Sequence, residues 1–150
     1  MKAVQLELRT GMVAGDVSLN ASILVCGQRR GGKLRLYLVY AEGNFIEATA
    51  DTPFFQIGEH KYGKPILDRM ITPATSLSDA AKAVCVSMDS TLRSNLTVGM
   101  PLDLSIIRRD EYKFSLRRRI EADDPEFAQI SRAWGAALQG GFDSLPSMID

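Results

Sequence analysis

Four strand-like runs follow one another between residues 21 and 57 with no helical pattern between them. Strand-like and helix-like runs that are segregated rather than alternating exclude the βαβ folds and point to an α+β layered architecture. The first two runs, residues 21–28 and 33–41, flank Arg29-Arg30-Gly31-Gly32. Two adjacent glycines can take the positive φ values that a tight hairpin turn needs. In the second run Leu34, Leu36, Leu38 and Tyr40 share one face, and Arg35, Tyr37 and Val39 the other. Glu42-Gly43-Asn44 turns the chain into residues 45–49, and Asp51-Thr52-Pro53 breaks it before the aromatic, β-branched run at 54–57.

Gly58-Glu59-His60-Lys61 joins that fourth run to a helix in which Tyr62, Ile66 and Met70 fall at i, i+4 and i+8. A strand that turns over a glycine into a helix aims the first helical N–H groups beyond the sheet edge, where an anion or a polar catalytic group can sit. A plain βα connection has the same pattern. The next helix opens at Ser76, an N-cap with Asp79 in the capping-box position. Its expected buried stripe is Leu77, Ala81, Val84, Met88 and Leu92, with Ser78, Lys82, Asp89 and Arg93 on another face. A second hairpin, 102–109 with 112–120, turns at Asp110-Glu111. The last helix starts at Asp124 with Pro125 in its first turn, faces Phe127, Ile130, Trp134 and Leu138 to the core, and is expected to stop at Gly140-Gly141. Ahead of all this, residues 1–14 carry Val4, Leu8 and Met12 at helical spacing with no capping residue before them. No repeat or boundary interrupts the pattern, so one domain over residues 1–150 is expected.

Composition narrows the function classes. Lys+Arg and Asp+Glu balance at 18 each, so no global field recruits nucleic acid or an acidic membrane. Asp110 and Glu111 adjoin the arginines 108–109 and 117–119, and alternation splits Arg117 and Arg119 from Arg118. These arginines therefore read as a solvated or subunit-facing surface. One histidine and the two cysteines Cys26 and Cys85 match no metal motif or disulfide framework, and no metal or cofactor is expected. No apolar run approaches the roughly 18 residues of a membrane span, and Glu7 and Arg9 interrupt any signal-peptide core. A cytoplasmic protein is expected. His60 has no Gly-x-Ser-x-Gly elbow to work with, and Cys85, on the apolar side of its helix, reads as a structural thiol.

Five segments carry a resemblance: residues 36–40, 43–49, 51–59, 61–69 and 87–95, the last two reading Lys-Tyr-Gly-Lys-Pro-Ile-Leu-Asp-Arg and Ser-Met-Asp-Ser-Thr-Leu-Arg-Ser-Asn. In this order they resemble Anbu, the ancestral beta subunit, a bacterial family of proteasome-type peptidases related to HslV and proteasome beta subunits. The resemblance runs from about Val4 to Phe142. It implies an N-terminal nucleophile hydrolase fold, an αββα sandwich of two stacked antiparallel sheets. It implies a threonine peptidase that cleaves peptide or unfolded protein inside a self-associated ring or spiral. In such enzymes an N-terminal threonine is the nucleophile and its own amine the base. This chain opens Met1-Lys2-Ala3, so the sequence is expected to represent the C-terminal part of a subunit, truncated before the family's second helix and inactive alone. A noncatalytic assembly or regulatory subunit is the alternative.

The resemblance also implies accessory catalytic residues. Asp89 matches an aspartate that helps arrange the amine and threonine in proteasome relatives, and Ser94 is the candidate for the serine beside it. Asp89 can equally form an i, i+4 pair with Arg93. The family pattern Gly-Glu-Ser-Lys-Tyr-Gly meets His60 here in place of its serine, a departure that speaks against simple conservation of chemistry at that point. Loss of N-terminal strands is expected to leave sheet edges unpaired and Leu34, Leu36 and Leu38 uncovered. Subunit contacts are expected from the arginine runs, from Asp123-Asp124 and from the apolar tail at 142–149.

Overall fold

Gly31, with φ of 70°, closes a turn in which the Gly32 N–H reaches the Arg29 carbonyl at 2.9 Å. That turn joins strands β1 (Ile23–Gly27) and β2 (Arg35–Val39), paired antiparallel from Ile23 opposite Val39 to Gly27 opposite Arg35. Gly43, with φ of 91°, makes the next turn into β3 (Phe45–Glu47). The order is β1-β2-β3, as the glycine-bounded runs lead one to expect. The computed structural model describes residues 21–149, so the expected first helix lies outside the described residues. These fall into two compact units that part between Ile57 and Gly58.

In the first unit Tyr37 and Phe45 meet edge to face at 5.6 Å, and Arg35 bridges Tyr37 Oη and Glu47 Oε2, each at 3.1 Å. None of residues 21–57 is fully buried, and Ile23, Val25, Phe45 and Ile46 are exposed. The fourth strand is corrected: residues 54–57 lie outside both described sheets. β-propensity registers fit to a pleated surface, and a strand also needs a partner's backbone in register.

The second unit holds α1 (Lys64–Met70), α2 (Leu77–Ser94), β4 (Leu102–Ile107), β5 (Phe114–Ile120) and α3 (Pro125–Asp143). Ser76 caps α2, accepting the Asp79 N–H at 3.1 Å while its hydroxyl donates to the Asp79 carboxylate at 2.8 Å. Asp124 caps α3 by accepting the N–H groups of Glu126 and Phe127. Strands β4 and β5 pair antiparallel from Leu102 opposite Ile120, with a bulge at Ile106/Ile107.

Two helical faces differ from the sequence reading. α2 buries Ala83, Cys85, Val86, Ser87, Asp89 and Thr91, whereas Leu77 and Val84 of the expected stripe are exposed. In α1 the buried residue is Leu67 and Met70 is exposed, while Tyr62, expected in the helix, lies in the turn before it and is exposed. Ser87 and Thr91 are buried by the close approach of the chain at Gly63, which selects small side chains, while Cys85 shares its flank of α2 with Leu104 and Ile120. α3 also runs through Gly140-Gly141 to Asp143; glycine costs only about 1 kcal/mol in a helix interior and does not by itself end one. Leu138, expected in the core, is exposed.

Candidate functional site

The two long motifs, 61–69 and 87–95, come together where α1 begins. Gly63 is buried against α2: a β-carbon on it would collide with Ser87 Oγ and stand 2.9 Å from the Ser87 carbonyl oxygen and 3.1 Å from Thr91 Oγ1. Thr91 turns its hydroxyl back onto the Ser87 carbonyl at 2.9 Å. Both residues are 3% exposed. A second joint forms beside the first. Glu59 Oε2 accepts from Asn95 Nδ2 at 3.0 Å, and Asn95 Oδ1 accepts from the N–H and hydroxyl of Thr97 at 2.8 and 2.7 Å. The segment before α1 is thereby fastened to the end of α2.

Asp89, 6% exposed, lies 3.2 Å from Nε of Arg93, whose Nη2 donates to Ser131 Oγ on α3 at 2.8 Å. The i, i+4 pair is therefore formed, and it continues to a third element. Ser94 is exposed at the last residue of α2. Five residues from Asp89, it stands about 140° around the helix, so the two candidates are not brought onto one face. His60 is also exposed, with Nδ1 3.1 Å from the Gly58 carbonyl; it precedes a turn rather than heading the helix, which starts at Lys64. Glu59 and Asn95 are the site residues sequence reasoning passed over. Asn95, directly after the last helical residue, was the available signal, because asparagine favours helix ends.

Among the described residues no group of three His, Cys, Asp or Glu could hold a metal ion, and no helix is long and apolar enough to cross a membrane. Cys85 is buried, and burial pushes its thiol pKa up.

No family model and no curated protein matches the chain. Solved structures do. Anbu from Hyphomicrobium sp. strain MC1 matches over 99% of this chain and 61% of its own, at 48% identity and a TM-score of 0.88. Anbu (ancestral beta-subunit) from Yersinia bercovieri matches over 86% and 57%, at 50% identity and a TM-score of 0.83. The helical assembly of the Anbu complex from Pseudomonas aeruginosa matches over 96% and 60%, at 47% identity and a TM-score of 0.89.

The chain belongs to the Anbu family. It spans about three fifths of the length of these Anbu chains, 61%, 57% and 60%. Within this Anbu chain the arginines expected at subunit contacts are partly engaged in cis. Arg119 holds Asp103 through two bonds of 2.9 and 2.7 Å, Arg118 holds Asp124 at 2.7 Å and also Glu126, and Arg117 lies 5.0 Å above the Phe114 ring. The tail expected to dock is open: Phe142, Leu145, Met148 and Ile149 are all exposed.

Proposed function

We propose that the chain is the C-terminal part of a proteasome-type, self-compartmentalising threonine peptidase subunit that hydrolyses peptide or unfolded protein in the cytoplasm. The observation that carries this reading is the closure of the two family motifs on each other at Gly63, Ser87 and Thr91, in a chain with Anbu relatives. The described residues serve as scaffold in that subunit. Asp89, held by Arg93, is the group through which they reach the reacting amine, and Ser94 is an accessory. Among the described residues His60 is exposed beside Gly58, and Cys85 is buried. The fold we propose is the αββα sandwich of N-terminal nucleophile hydrolases. The exposed Ile23, Val25 and Phe45, which the register places on one face, support a further layer over the three-stranded sheet. Self-association into a ring or spiral is supported by the relative solved as a helical assembly.

Two measurements test this. The matching stretch of the Hyphomicrobium Anbu subunit is replaced by residues 21–149, and the chimera is expected to assemble to the parent's particle size. The 150-residue chain alone is expected to leave fluorogenic peptides uncut. A folded chimera that stays monomeric, or epoxyketone-sensitive turnover by the 150-residue chain, overturns the reading. An assembling chimera without turnover, from a parent that cleaves peptide, favours a noncatalytic assembly subunit instead.

A further inference from the structure

We draw no further inference here: the strongest candidate, the apolar cavity between α1, α2 and α3 that is lined by Ile66, Met70, Val86 and Trp134, whose buried indole nitrogen has no hydrogen-bond partner among the described residues, carries nothing because no feature of the structure shows what covers it.

Discussion

Gly63 and Ser87 are packed so closely that the glycine has no room for a β-carbon: the serine hydroxyl already occupies the place. The Ser87 carbonyl belongs to α2 and cannot turn aside. Gly63→Ala is therefore expected to force α1 and α2 apart and destabilise the chain by about 1–3 kcal/mol, the range for overpacking a filled site. Ser87→Gly in the same chain should restore only part of this, because the carbonyl oxygen at 2.9 Å remains. Urea unfolding measures both, and an alanine variant as stable as the parent would contradict the packing.

Asp89 and Arg93 supply a second prediction. Arg93 is largely exposed and Asp89 is not, so removing the arginine lets water reach its site while leaving a near-buried carboxylate short of a donor. Arg93→Ala is expected to cost about 1–3 kcal/mol, the range for leaving a buried acceptor without its donor. Asp89→Ala, which leaves only an exposed guanidinium behind, should cost under about 1 kcal/mol. A double-mutant cycle that finds the two effects additive would show the pair to be uncoupled.

The Asp124 carboxyl is held below its ordinary range by the Phe127 N–H and then by Arg118. A depressed carboxyl pKa stabilises the fold above the unfolded value of about 3.9 and loses that contribution as pH falls through the folded value. Asp124→Asn is expected to be less stable at neutral pH and to lose less stability than the parent between about pH 4 and 2. Thermal melts across that window are the check; parallel curves would remove Asp124 from the pH dependence.

Arg119 gives the fourth. Its two bonds to Asp103 cross the β4–β5 ladder between directly opposed residues. Reversing Arg119 to glutamate therefore places two acids opposite each other before any subunit surface is affected. The exchange Asp103→Arg with Arg119→Asp should recover most of the hairpin's stability. If the exchange does not recover it, yet lowers particle mass as much as the reversal does, Arg119 serves the assembly rather than the hairpin.

Turns and caps were legible because each is written in a few adjacent residues: Gly31 and Gly43 at positive φ, Ser76 with Asp79, Asp124 with Pro125. Helix faces were less so. Leu77 and Val84 announce an apolar stripe, yet Ser87 and Thr91 are buried because α1 comes near enough to exclude anything larger. Residues 54–57 have strand chemistry, but pairing is decided by distant backbone. At the site, the motifs identified the segments that meet and the Asp89–Arg93 spacing showed the pair. The bond from Asn95 to Glu59 spans 36 residues and leaves no periodic trace.

The bulge between β4 and β5 sets Phe114 opposite Ile107 and Leu116 opposite Ile106, leaving Ser115 without an opposite number. Its hydroxyl instead accepts the Arg108 N–H at 3.1 Å and donates to Glu111 at 2.7 Å. The far end of the hairpin is thus out of phase with the near end by one residue. Deleting Ser115 would bring the two halves into step and swing Phe114 to the opposite side of the ribbon, carrying with it the ring beneath Arg117. One serine therefore decides which way the tip of the hairpin faces.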